Sequence, residues 1–234
     1  MDQAKYKVCH LNPDQFKSWD QFVDESPQGD IFCYSWWLDT ITKSNFKIFA
    51  IFDKEEIVAG IPLAFDKNGK VTEPPLTRTL GPLYKIIPDL SVHKQESKQR
   101  NWLQALLHHI SPEDVVTFCT HQNFTDWLPF KWKGFQQTTR YTYIIDYKDK
   151  DEKELWAGLS RGRKEPIKQA NNNGITISFT QNIQQLYELE SKSYKRQGLK
   201  FSLSYEFLQR IDHEINKRKL RKIFIASNKD GKIV

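Results

Sequence analysis

The sequence contains no long hydrophobic run. Its longest mostly apolar stretch, Ile57–Phe65, is far below the roughly 18 residues that span a membrane. The N-terminus, MDQAKYKVCH, has no apolar core segment, which argues against a secretory signal. Cysteine is scarce: Cys9, Cys33 and Cys119 are odd in number and widely spaced, which excludes a disulfide framework and predicts a reducing cytoplasmic location. Glycine and proline, ten of each, are too few for a collagen-like or low-complexity chain. Several motifs are also missing. No GxSxG elbow, GxxxxGK[ST] loop or HExxH pair occurs, and no two glycines are spaced G-x-G. A dinucleotide loop and the usual acetyl-CoA pyrophosphate loop are therefore both absent, and no metal site is expected. Cys119-Thr120-His121 lacks further ligands and reads as structural.

What the chain does have is aromatic bulk and uneven charge. Of 234 residues, 15 are Phe, 9 Tyr and 7 Trp, ample for a sizeable core. The net charge of +6 is concentrated in one part. Residues 1–150 carry 18 Lys/Arg against 19 Asp/Glu, whereas residues 151–234 carry 17 against 10. A solvated basic helix surface and a site for phosphates both accommodate that excess.

Periodicity predicts a mixed α/β layer arrangement. A strand over Lys5–Leu11 leads through Asn12-Pro13-Asp14 into a helix with Trp19, Phe22 and Val23 on its apolar face. Helix Ser35–Thr42 follows, then a hairpin of Phe46–Phe52 and Ile57–Phe65. After an irregular stretch with one further strand come helix 96–110, a buried strand Val115–Cys119, a short helix within Asp126–Trp132 and an aromatic strand Thr138–Tyr147. The remainder repeats the opening order. Helix Asp151–Asn173, with Pro166 interrupting or restarting it and Gly174 as cap, precedes strand Ile175–Thr180. Helices Ile183–Lys195 and Ser204–Lys217 and strand Lys222–Ser227 complete it.

Short strings recur in that order. Phe32-x-x-Ser35-Trp36 parallels Phe201-x-x-Ser204-Tyr205, and Lys47-Ile48-Phe49 parallels Lys222-Ile223-Phe224. The pattern predicts a tandem duplication: a first domain at 1–147 and, at 148–234, the N-terminal part of a second that stops in its return strand, Ile233-Val234.

The most distinctive segment is Ser160–Gly174. Arg161, Arg163, Lys164 and Lys168 cluster around Pro166, and a helix restarting there would offer free N–H groups to a phosphate. The run Lys217–Lys222 reads as cations at a helix C-terminus. Trp36-Trp37 reads as core or pocket wall.

At these residues the sequence resembles the FemABX-like acyltransferases of the GNAT fold, which include the aminoacyl-tRNA-dependent enzymes of bacterial peptidoglycan cross-bridge synthesis. The resemblance is carried by Ile31–Asp39, Leu80-Gly81-Pro82, Tyr141–Tyr147, Leu155–Gly174 and Arg196-Gln197-Gly198. The family's Arg-x-x-x-Ile-Arg-Lys-Ala pattern stands here as Arg163-x-x-x-Ile167-Lys168-Gln169-Ala170. It implies two GNAT-like units in tandem and an acyltransferase acting on an amine acceptor. Acyl-CoA or aminoacyl-tRNA would serve as co-substrate, with no tightly bound cofactor. The candidate substrate and phosphate-binding residues are Arg163, Lys164, Lys168, Arg196, Trp36 and Trp37, and no catalytic base is assigned. Asp39 and Thr40 stand where cross-bridge enzymes tend to place a lysine, which departs from a nucleotide-linked muropeptide acceptor. The competing class is a non-catalytic basic module that binds RNA or another polyanion.

Overall fold

The computed structural model describes residues 6–233. The chain divides into two compact units, one reaching to Thr138 and the other beginning at Thr139. The predicted start of the first strand at Lys5 and the last residue of the return strand, Val234, lie outside the described residues.

The first unit is built on a four-stranded antiparallel sheet in the order β1-β2-β3-β4. Its strands are β1 (Val8–His10), β2 (Phe46–Asp53), β3 (Glu56–Ala64) and β4 (Leu83–Tyr84). The charged turn after β2 closes the β2–β3 hairpin with Lys54 at φ +57°. Every residue of β3 after Glu56 is buried, as expected of a central strand covered on both faces. One face receives helices α1 (Phe16–Glu25) and α2 (Ser35–Thr42), whose Trp19, Phe22, Val23 and Leu38 pack with Leu11, Ile48, Ala50 and Leu83. Gly60 makes this close approach possible: a Cβ there would come within 2.4 Å of the Trp19 ring. Trp19 in turn anchors its indole N–H on the Cys33 carbonyl at 2.8 Å. The other face receives helix α3 (Val92–Leu106), placing Trp102, Leu103 and Leu106, with Leu107 in the turn just after it, against Ile51, Ile61 and Leu63. The short helix α4 (Leu128–Trp132) adds Phe130 to this layer.

The second unit starts with helix α5 (Glu152–Gly158), closed by a reciprocal cap between Asp151 and Glu154. Helix α6 (Arg161–Asn172) follows, and its last turn is tied off where Ile175 N–H donates to Ala170 and Gly174 adopts φ +71°. Strand β5 (Thr176–Thr180) pairs antiparallel with β6 (Ile223–Ser227), and helices α7 (Ile183–Arg196) and α8 (Tyr205–Lys217) lie between them in sequence. An aromatic cluster joins the two helices: Phe201 lies 5.7 Å from Tyr187 and 5.1 Å from Tyr194, and Tyr205 lies 5.3 Å from Tyr187. The buried aliphatic side chains are Leu208 and Ile211 of α8 and Ile223 and Ile225 of β6.

The pairing registers of the two units correspond. Val8, Cys9 and His10 face Ile51, Ala50 and Phe49, while Ile177, Ser178 and Phe179 face Ala226, Ile225 and Phe224. One constant offset relates β1 to β5 and another relates β2 to β6.

Three expectations are corrected. Val115–Cys119 is not a buried strand: Val115 makes an isolated bridge to Val71, Leu80 N–H reaches the Cys119 carbonyl, and Val116 is exposed. Pro74-Pro75 lies within the neighbouring 71–80 stretch and cannot supply ladder donors, so only isolated bonds form. Thr138–Tyr147 forms no ladder among the described residues, and Tyr141 and Tyr143 are almost fully exposed. Its alternating pattern specifies a strand only where a sheet edge is offered to it. The predicted helix Asp151–Asn173 is two helices, broken at Leu159–Ser160, and Pro166 lies within α6 rather than restarting it.

These layers predict different responses to truncation. Leu106→Ala, at a fully buried position, should lower the unfolding free energy by about 2–5 kcal/mol. Tyr143→Ser, at 99% exposure, should stay within about 0.5 kcal/mol. Urea unfolding of the two variants checks the contrast. The His109 ring stacks on Phe49 at 5.0 Å, and burial, His108 and Lys133 push its pKa below the usual 6.5. The neutral ring is thus favoured in the folded state. Its contribution should be complete above the unfolded pKa and be lost as pH falls through the lowered folded value. A histidine titration followed by NMR should place the His109 midpoint below 6.5.

Candidate functional site

The candidate residues fall into two groups, one in each unit. In the first unit, Asp30 caps the turn before α2 by accepting from Phe32 N–H at 2.8 Å. Its second carboxylate oxygen accepts a hydrogen bond from the Thr79 hydroxyl. Asp20 receives both the backbone N–H and the hydroxyl of Ser35, at 2.7 and 3.0 Å, which fixes the start of α2. This frame decides the two tryptophans differently. Trp37 is buried and donates its indole N–H to the Thr77 hydroxyl at 3.1 Å, so it is core. Trp36 is half-buried, edge-on to Trp37 and stacked with Tyr34 at 5.9 Å. The Tyr34 hydroxyl donates to Asp24, and its pKa is pushed up to about 12 by burial and by that carboxylate. Of the pair, Trp36 is the more exposed. Leu80 and Gly81 lie against the 119–120 backbone, where a Cβ on Gly81 would meet Thr120 at 3.0 Å.

In the second unit the cations of α6 share one helix but not one state. Lys164 donates to the Ala157 carbonyl at 3.0 Å, tying α6 back to α5. Lys168 pairs with Glu165 at 3.5 Å within the same helix. Arg163 is exposed and has no ion pair or hydrogen bond from its guanidinium among the described residues. Arg196, the last residue of α7, is likewise exposed and unpaired among them. Among the described residues no hydrogen bond or ion pair joins Arg196 to the α6 cations. Because α6 begins at Arg161, its free N–H groups belong to the first turn, beside Arg161 and Arg163, and not to Pro166. This corrects the expected geometry and leaves Arg163 at the positive end of the helix dipole, where an anion would be stabilised twice over.

The basic run at 217–222 has a different role. Arg221 is nearly buried, with Nε 2.5 Å from the Asp212 carboxylate and its terminal nitrogens on Gln181 at 3.0 and 3.1 Å. It thereby ties the chain ahead of β6 to α8 and to the residues after β5. Arg218 pairs with Glu214 one turn back, and that contact holds the Glu214 carboxyl below its ordinary range. Both arginines are structural.

One residue was not singled out from the sequence. Trp156 on α5 is part-exposed and adjoins Ala157, whose carbonyl anchors Lys164. An indole one residue from a lysine anchor was detectable only as part of the motif Leu155–Gly174. No group of three or more His, Cys, Asp or Glu able to hold a metal exists among the described residues. No described helix is long and apolar enough to cross a membrane.

Breaking the part-buried Asp212–Arg221 pair should be costly. Arg221→Ala is expected to lower stability by about 1–3 kcal/mol, since it leaves the Asp212 carboxylate without its charged partner. Arg163→Ala should change stability by less than about 0.5 kcal/mol. Denaturant titration of both variants checks the assignment of one as structural and the other as uncommitted.

Residues 119–211 match the model of the FemAB family. No curated protein matches the chain. Among solved structures, FemX is similar over 95% of this chain at 16% identity and a TM-score of 0.56, and the chain spans 58% of the FemX length. The aminoglycoside 6'-N-acetyltransferase AAC(6')-IG from Acinetobacter haemolyticus aligns over 60% of this chain and 97% of its own, at 12% identity and a TM-score of 0.34. The matched family segment runs from the end of the first unit through α5, α6, β5 and α7 into α8, and thus contains Arg163, Lys164, Lys168 and Arg196. The chain thus carries a segment similar to the FemAB family within a fold similar to that of FemX.

Proposed function

We propose that this chain is part of an acyltransferase that moves an acyl or aminoacyl group from acyl-CoA or aminoacyl-tRNA to an amine acceptor in cell-wall synthesis. The observation that carries this reading is the FemAB match over 119–211, which coincides with the helices bearing the uncommitted Arg163 and Arg196. In this reading residues 148–234 are the N-terminal part of a second GNAT-like domain, and residues 1–147 are the first. Two things support that division: the corresponding strand registers, and the 58% of the FemX length that the chain spans.

The reaction asks little covalent chemistry of the protein. The neutral acceptor amine attacks the thioester or ester carbonyl, the tetrahedral intermediate collapses, and the thiol or ribose hydroxyl leaves as the amine gives up a proton. Positioning supplies much of the rate, because two bound reactants meet at high effective concentration. Both donors carry phosphates. Arg163 presents a planar fork able to take a phosphate through two parallel N–H bonds, with the free N–H groups of the α6 first turn beside it. Lys164, held on Ala157, and Lys168, paired with Glu165, add positive potential around that point. Trp36 is assigned to acceptor or donor stacking, while Trp37 serves it as packing.

Transfer from labelled acyl-CoA and aminoacyl-tRNA to amine acceptors tests the reading directly. Product formation with either donor is expected. Absence of turnover with both, together with tight salt-sensitive RNA binding, would replace the enzyme by a polyanion-binding module. Arg163→Ala should weaken donor binding by about 1.5–3 kcal/mol in low salt. Equal affinity of variant and parent would remove Arg163 from the site.

A further inference from the structure

The second unit opens with Thr139–Tyr147, which has the composition of a strand and, among the described residues, no ladder. Tyr141 and Tyr143 are 93% and 99% exposed, and Ile145 and Tyr147 are 74% and 73% exposed. These four alternate along the chain, so an extended backbone sets them on one face and Arg140, Thr142, Ile144 and Asp146 on the other. No residue of the segment has a positive φ. The chain turns just beyond it, where Asp146 accepts the Lys148 N–H at 3.1 Å and Asp149 takes φ +59°. A row of large exposed apolar side chains on a segment outside any ladder is a surface for strand addition.

We propose that Thr139–Tyr147 is a homodimerisation strand, pairing antiparallel with the same segment of a second copy about a two-fold axis at Tyr143. The charges of the segment select both the occupant and the register. Centred on Tyr143, the pairing sets Arg140 opposite Asp146 of the second copy, and Asp146 opposite its Arg140. Tyr141 then faces Ile145, and Tyr143 faces its own counterpart. Opposite charges directly across an antiparallel pair are favourable, and like charges are not. Centring on Ile144 instead puts Arg140 against Lys148, and centring on Thr142 puts it against Ile144. Both alternatives lose the two ion pairs. An arginine three residues before the centre and an aspartate three after it complement only a reversed copy of themselves, which is the requirement of an isologous contact. A two-stranded ribbon is marginal alone, so the dimer is weak and concentration-dependent. Such pairing requires nothing of the transferase chemistry.

Sedimentation velocity of the whole chain over a series of concentrations is expected to show a reversible monomer–dimer equilibrium. Arg140→Asp sets like charges across the pair and should weaken dimerisation by roughly tenfold, as should Asp146→Arg. The exchange variant carrying both substitutions restores opposite charges and should return dimerisation to within a few-fold of the parent. Both positions are exposed, so the melting temperatures of the dilute variants should match the parent. The register is read separately: a short thiol-reactive cross-linker should join two Tyr143→Cys chains at residue 143, as mapped by mass spectrometry. A chain that stays monomeric throughout, an exchange variant no better than the single ones, or a dimer without the 143–143 link would overturn the proposal. Strong amide-exchange protection of 139–147 in the dilute monomer would also overturn it, in favour of pairing within the chain.

Discussion

The constraint on which both units depend is that a sheet with two apolar faces needs a cover on each. In the first unit this is met completely. β3 runs through the middle with α1 and α2 on one side and α3 on the other, and Gly60 lets Trp19 rest directly on the strand. Burial on both sides converts β3 from an alternating strand into a continuous apolar one, and the hairpin with β2 fixes its register. In the second unit β5 and β6 also pair antiparallel, with Ile223 and Ile225 buried and Ile177, Phe179 and Phe224 exposed.

The charged residues of the second unit are used in two ways. Where the backbone must be held, cations are spent internally: Arg221 joins Asp212 and Gln181, Arg218 joins Glu214, and Lys164 holds α5 to α6. Where nothing inside requires them, Arg163 and Arg196 project into solvent. An arginine without an internal partner, beside the free N–H groups of a helix start, is chemically suited to a phosphate in a way that a paired one is not. The basic excess of residues 151–234 is thus two populations, one structural and one available.

Much of this was legible in the sequence. Phe16, Trp19, Phe22 and Val23 at helical spacing after Asn12-Pro13 announced α1, and the charged break between two apolar runs announced the β2–β3 hairpin. Gly174 marked the end of α6. The grouping of cations on α6 was legible, and so was the resemblance of the segment around it to the FemAB family. Their individual states were not, because Arg163 and Lys168 look alike in a sequence and differ only in whether Glu165 or a carbonyl lies within reach. Trp36 and Trp37 were equally indistinguishable until the Thr77 hydroxyl settled which of them faces inward.

The sequence by itself determined most of the local elements and their order along the chain, because capping, turn chemistry and hydrophobic period act over a few residues. Only the tertiary structure decided the rest. The strand-like 138–147 stretch and Val115–Cys119 carry strand composition, yet no ladder forms, since strand pairing is a property of two segments and depends on an edge being presented. Pro166 likewise stays within α6, which runs without a break from Arg161 to Asn172 ahead of the left-handed Gly174. The physical reason is the same in each case: a side chain's period and propensity are local, whereas its partner is supplied by distant chain.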